Sequence, residues 1–360
     1  MRQGERFRKI FRREKVDRLP VLFFGCWQET EEQWKREGMT DLRDIPGVDP
    51  DWEKGVWDCH GLVDIRPLSD KPHVTLEESG DYTVFEDGFG AIVKTTKRGS
   101  SIAHTMKHAL VPTRESWRHF QTFLATDDPS RYGVNWEQKA ESLASDDRIH
   151  SFMGGSLYGW LRDWMGVEQI SYLMYDDPVL LEEMVAYLTE HYMTLFRPVL
   201  QKVEFDLVYF FEDCCGKTGP LFSPEIYKNI FNPYYQRLLR FYKENGVALA
   251  LIDSDGDVDK LVPSWLESGF DILFPVEVGT WNASPDALRT KYGRSLNMFG
   301  GVDKRVIPYG EEAIRQHLLT LKPAVDEGGY IPIPDHRMPP ECSYSDFLTY
   351  IKVFREVFNS

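Results

Sequence analysis

The sequence predicts an α/β chain forming a (β/α)₈ barrel, and three observations support that expectation. Short apolar runs recur along the second half with a helical segment between successive runs, as a parallel sheet with crossover connections requires. The runs are nearly continuous rather than alternating, which suits strands buried on both faces. Polar residues collect directly after the runs, at the strand ends where a barrel keeps its chemistry.

Taken in order, the first 18 residues set Phe7, Ile10 and Phe11 at helical spacing among charges, which predicts an amphipathic helix. Residues 19–24 read as a first buried strand and 62–65 as a second. Residues 81–96, with a turn at Glu86-Asp-Gly88, read as a β-hairpin inside an inserted cap region over 66–120 of a single 1–360 domain. Six further strands are expected at 149–153, 206–211, 247–252, 270–276, 295–299 and 329–333. Helices are expected over 179–202, 224–244 and 311–322. Ser223 before Pro224 and Ser284 before Pro285 are helix-start signals, and Gly246 and Gly269 stand where helices should end.

Composition narrows the function classes. With 42% hydrophobic and 28% charged residues the chain is ordinary globular protein. A net charge of −15 argues against nucleic acid, whose phosphates demand a basic face. No apolar run approaches the roughly 20 residues that cross a bilayer, so no membrane partner is expected. Met1 to Phe7 lacks the apolar core of a secretory signal. The five cysteines are odd in number and include no C-x-x-C pair, as free thiols in a reducing compartment would be. A cytoplasmic location follows as the expectation.

The strand ends supply the candidate site. Gly154, Gly155 and Tyr158 follow the strand at 149–153. Glu212 and Asp213 follow 206–211, and Asp253, Asp255 and Asp257 follow 247–252. Glu277 ends 270–276, Gly300, Gly301 and Asp303 follow 295–299, and Asp335, His336 and Arg337 follow 329–333. Acids in such places are often plain helix caps, which is the reading favoured for Asp213 and Asp257. The glycine pair permits either a tight turn or close backbone approach to a ligand. Cys214 and Cys215 read as unreactive thiols. Asp255, Glu277 and His336 make either a divalent-metal site with an open position or a carboxylate–histidine network without metal. Zinc is the first expectation, although oxygen ligation also admits manganese or iron. Trp27, Trp57, Tyr158, Trp160, Trp164 and Trp281 could line an apolar pocket.

Arg6-Phe7 through Asp17-Arg-Leu-Pro20, Gly219-Pro-Leu-Phe-Ser-Pro-Glu225, Asp253-Ser-Asp-Gly256, Gly300-Gly-Val-Asp-Lys304 and Gly328-Gly-Tyr-Ile-Pro332 followed by Pro334-Asp-His336 resemble the uroporphyrinogen decarboxylase superfamily. That superfamily also holds zinc-dependent, corrinoid-linked methyltransferases. Two departures matter. Founding decarboxylases carry arginines for substrate carboxylates after the first strand, where this chain reads Phe23 to Thr30 without one. Asp64 only loosely resembles their central aspartate. In the methyltransferases a His-x-Cys pair and a later Cys bind zinc; here those positions align with Asp253-Ser-Asp255 and with His336.

The resemblance therefore implies a methyltransferase component that moves a methyl group from a methoxylated small molecule to a corrinoid. Asp255, Glu277 and His336 would hold zinc, and Asp253 would orient or substitute for a ligand. Glu212 would serve as acid/base or position the substrate, and Tyr158 would touch it. Trp27, Gly154, Gly301 and Asp303 complete the expected substrate-binding set. The chain has no Asp-x-His-x-x-Gly corrinoid motif, so the corrinoid would ride on a separate partner protein. A homodimer follows by the same analogy. The alternatives are a metal-independent decarboxylase, with Asp253 or Asp64 stabilising a protonated intermediate, and a non-catalytic ligand-binding barrel.

Overall fold

Helix α1 (Gln3–Phe11) buries Phe7, Ile10 and Phe11, and everything else in the fold is arranged around what that face meets. Phe7 and Phe11 both pack edge-on against Phe299, while Arg8 pairs with Asp206 and the Gly329 amide bonds the Ile10 carbonyl. Those partners stand at the starts of strands or inside the sheet core, so α1 plugs the N-terminal end of the sheet and leaves the other end for chemistry. The structure, a computed structural model, describes residues 1–50, 52–97, 103–143 and 145–359.

After α2 (Gln28–Arg36) the chain enters a four-stranded antiparallel meander: β1 (Val74–Glu78), β2 (Tyr82–Glu86), β3 (Ile92–Thr96) and β4 (His104–Lys107). The expected hairpin is thus the middle pair of a larger sheet. Its outer strands escape a periodicity reading because β1 is exposed at every position. Helices α3 (Arg114–Gln121) and α4 (Trp136–Leu143) return the chain to the main sheet.

From there strand and helix alternate as expected. The order is β5 (Ser151–Met153), α5 (Gly159–Met165), α6 (Val167–Asp176), α7 (Pro178–Leu200) and β6 (Leu207–Phe211). A short hairpin, β7 (Cys215–Gly216) and β8 (Gly219–Pro220), precedes α8 (Pro224–Ile226), a π-turn and α9 (Asn232–Glu244). Then come β9 (Leu249–Asp253), α10 (Val262–Ser268), β10 (Ile272–Val276), α11 (Val278–Trp281), α12 (Pro285–Tyr292), β11 (Asn297–Val302), α13 (Glu311–Asp326), β12 (Tyr330–Pro334) and α14 (Tyr344–Phe358). Ser223 and Ser284 cap α8 and α12 through their hydroxyls.

Among the described residues the parallel ladder has six strands, ordered β12-β11-β10-β9-β6-β5. This is the α/β, barrel-type architecture, with a ladder that does not close by strand pairing alone. The two first-half segments expected as strands do not join it. Residues 62–65 turn toward 131–133, with Val63 in an antiparallel bridge to Tyr132. The 19–26 segment makes a single parallel bridge, Cys26 to Met338, beside β12. Val21 then exchanges bonds with Asp49, through backbone at 2.8 Å and through the carboxylate at 2.8 Å, and the Met153 amide bonds the Val56 carbonyl. Irregular chain at 19–26, 49–50 and 52–56 therefore lies in the interval between β12 and β5. Pro20 supplies no N–H for a ladder, which explains why a strand-like composition here builds a bridge instead. Trp52, on the spanning segment, fills the interior, its ring 4.8 Å from Phe299 and 5.3 Å from Phe274.

Candidate functional site

The rim at the C-terminal strand ends is built by carboxylates that each tie down a neighbouring loop. Glu277, after β10, accepts the Gly256 amide of the β9 loop at 3.0 Å and the Thr280 hydroxyl. Asp335, after β12, accepts the amides of Gly279 at 2.8 Å and Lys304 at 3.3 Å, joining the β10 and β11 loops. Glu212, after β6, accepts the amides of Leu157, Tyr158 and Gly159 at 2.9–3.1 Å and the Tyr235 hydroxyl. Loops crowded with buried N–H groups need such acceptors, because an unpaired buried donor costs a few kcal/mol.

Within that rim two pairs face the chemistry. The His336 Nε2 stands 3.3 Å from the Asp255 Oδ2. Asp253, the last residue of β9 and buried, receives the hydroxyl of Tyr209 from β6. Burial first, and then the nearby Asp255 charge, push the Asp253 carboxyl well above its ordinary range, against the lowering effect of the Tyr209 bond. The site thus holds a buried carboxyl group that resists ionisation, beside the contact between His336 and Asp255.

Aromatic walls flank these pairs. His336 lies 5.7 Å from both Phe24 and Trp27, which arrive on the irregular first-half segment. Trp57 stacks edge-on against Tyr209 at 5.6 Å and Phe211 at 5.8 Å. Trp57 also borders a cavity of about 570 Å³ with Trp160, Trp164, Val63, Ile65 and Phe89, the last contributed by the meander. Arg131, buried, donates to the carbonyls of Asp64, Arg66, Phe123 and Ala125 and so fixes the 64–68 wall of this cavity.

The expected site residues separate into those the fold brings together and those it uses for packing. Asp253, Asp255, His336 and Trp27 share the rim. Glu277 is turned to Gly256 and Thr280, so the three expected metal ligands do not share one shell. Among the described residues no group of three His, Cys, Asp or Glu side chains is placed to hold a metal ion. A three-ligand zinc centre does not fit this donor set.

Glu212 is enclosed beneath the α5 N-terminus. Its backbone amide bonds the Asp253 carbonyl at 2.9 Å, so it steadies Asp253 without facing the cavity. Tyr158 packs its ring on Phe222, and its buried hydroxyl has no partner among the described residues. At Gly154 an added Cβ would stand 2.2 Å from the Val208 side chain, and at Gly301 (φ +81°) it would stand 2.6 Å from the Tyr330 hydroxyl. Both glycines therefore serve close packing of strands and helices. Asp303 caps the turn after β11 and pairs with Arg305. Asp64 pairs with Arg66 on the cavity wall, Asp213 pairs with Arg162, and Asp257 caps Asp259. All five cysteines are unbridged and buried.

Sequence reading missed Tyr209 and Phe24, and it named Arg337 at a strand end without a role. Tyr209 sits in a run that is apolar on both faces, where alternation gives no signal of which side chain points inward. Phe24 and Arg337 acquire their roles only because the chain's two ends meet.

A family model for uroporphyrinogen decarboxylase matches residues 162–357, more than half of the chain. The chain belongs to the uroporphyrinogen decarboxylase family. That match covers β6 and every later strand of the parallel ladder, and with them Asp253, Asp255 and His336. The solved structure of a methyltransferase from Methanosarcina mazei is similar over 99% of both chains, at 11% identity and a TM-score of 0.57, a likeness of fold. A B12-independent methionine synthase from Shewanella sp. W3-18-1, in complex with selenomethionine, is similar over 63% of this chain and 67% of that one, at 12% identity and a TM-score of 0.31. No curated protein matches the sequence. No helix of the described residues is long and apolar enough to cross a membrane.

Proposed function

We propose that this member of the uroporphyrinogen decarboxylase family is a methyltransferase that removes the methyl group of a methoxylated aromatic small molecule. The buried Asp253 carboxyl, held by the Tyr209 hydroxyl and pushed above its ordinary range by burial and by Asp255, is the observation that supports it most. Cleaving a methyl–oxygen bond leaves the bonding electrons on oxygen, and a phenolate leaves poorly unless it is protonated. Asp253 supplies that proton, so an alcohol or phenol is released and a carboxylate remains beside Tyr209. A corrinoid carried by a separate protein would supply the nucleophile that accepts the methyl group. The tryptophan-lined cavity beside Trp57 suits a planar apolar ring. Since the expected zinc ligands do not share one shell, no step is assigned to a metal.

The test is incubation of the protein with 4-methylanisole or 4-methoxybenzoate and reduced free cobalamin. Methyl transfer predicts release of the matching phenol, with Asp253→Asn lowering the rate at least about a hundredfold, the usual range for a lost general acid. Carbon dioxide from 4-methoxybenzoate, with no phenol formed, would sink methyl transfer in favour of decarboxylation.

A further inference from the structure

The guanidinium of Arg337 is held by rings and by no carboxylate. Its Cζ lies 5.0 Å from the centre of the Phe24 ring and 6.0 Å from that of Trp27. Among the described residues it makes no ion pair and donates no hydrogen bond. Other arginines here do otherwise: Arg6, Arg18, Arg43, Arg66, Arg148 and Arg305 are each paired with an aspartate. Stacking on aromatic faces fixes the plane of a guanidinium while leaving its in-plane N–H donors open. An arginine so held is preorganised for an anion, and its planar fork matches a carboxylate bidentately.

Its location is the second observation. Phe24 and Trp27 are the same two rings that contact His336, and Phe24 packs edge-on at 4.9 Å against Phe274, the cross-strand partner of Asp253. Arg337 also borders a cavity of about 180 Å³ with Gly25, Trp52 and Glu53. Gly25 has φ +72°, and a Cβ there would stand 3.4 Å from the Arg337 Nη1, so the loop turns closely under the guanidinium. The rest of the rim is acidic, with Asp253, Asp255, Glu277 and Asp335. A guanidinium without an ion-pair partner among these acids matches a single negative charge, and a dianion such as a phosphate monoester would meet more repulsion.

We infer that Arg337 is a specificity-determining residue that anchors the carboxylate of a small aromatic carboxylate at the rim, opposite the group that reacts near Asp253. This rests on the proposed demethylation for the identity of the reacting group, but the anchoring itself is a binding property. It is therefore tested without corrinoid or turnover, by calorimetric titration of the full-length protein with 4-methoxybenzoate and with uncharged 4-methylanisole.

The wild type should bind the carboxylate roughly tenfold or more tightly, in the range of charge-assisted hydrogen bonds, with the preference weakening as salt rises. Arg337→Ala should erase the preference while leaving the affinity for 4-methylanisole and the thermal midpoint unchanged. Arg337→Lys should restore part of it. Equal affinities in the wild type, no binding of the carboxylate, or a preference that survives Arg337→Ala would each overturn the inference. A carboxylate preference that depends on Arg337 in a protein releasing no phenol would uphold the anchor and remove the demethylation.

Discussion

At the scale of the residue, the site holds a buried carboxyl group whose surroundings oppose its ionisation. Burial raises the Asp253 pKa, Asp255 raises it further, and Tyr209 opposes both. The linkage sign follows from that direction. The unfolded carboxyl ionises near its ordinary value of about 4 while the folded one ionises only at higher pH. Its contribution to stability is therefore complete below the unfolded pKa and is lost as pH rises toward the folded value. We expect the thermal midpoint of Asp253→Asn, relative to wild type, to increase between pH 5 and pH 8. A difference that stays flat or falls would mean that Asp253 is ionised in the folded protein. Demethylation should fall only as pH rises past the folded value, since the acid must be protonated to act. Asp253, Asp255 and His336 were legible as candidates because each directly follows a run recognisable as a strand. The protonation state of Asp253 was not legible, because it is set by Tyr209 and by burial, neither of which spacing reveals.

Among elements, the question is how short loops and a seven-residue helix keep the rim in place. The α5 N-terminus delivers the amides of Leu157, Tyr158 and Gly159 to Glu212, which is 1% exposed, and Tyr235 from α9 completes its bonds. Glu212→Ala would strand those buried donors, and we expect a loss of about 3 kcal/mol or more in urea unfolding. Glu212→Gln, which keeps an acceptor, should lose markedly less. If both variants cost equally, the charge rather than the acceptor geometry sustains the loop. Strand positions were readable here because buried strands need apolar runs and their helices carry Ser-Pro starts. The first-half segments misled for the opposite reason. Leu19 to Phe24 has a strand's composition but meets Asp49 and Met338 instead of a ladder, and composition does not choose partners.

For the whole molecule, the meander forms a sheet of its own and lends Phe89 to the cavity wall. Phe89 from its β2–β3 turn lines the tryptophan cavity, while Leu68 bonds Phe123 and Leu110 bonds Trp164 at its two ends. Replacing residues 74–107 by a short Gly-Ser linker should leave the barrel's far-ultraviolet circular dichroism signal and cooperative unfolding largely intact. Affinity for 4-methylanisole should drop several-fold, because one wall of the apolar cavity is removed. Collapse of cooperative unfolding would instead make the meander part of the folding core.

By itself the sequence determined the class of fold, the six parallel strands, and which loops carry acids and His336. Those features are local: strand burial writes apolar runs, and helix starts and ends write serine, proline and glycine. Tertiary structure alone decided which of these side chains share a site. It turned Glu277 and Glu212 to backbone amides, placed Tyr209 on Asp253, and set Arg337 over Phe24 and Trp27 from the far end of the chain. Such meetings depend on how the chain's two ends close beside one another, and hydrophobic periodicity holds no record of that.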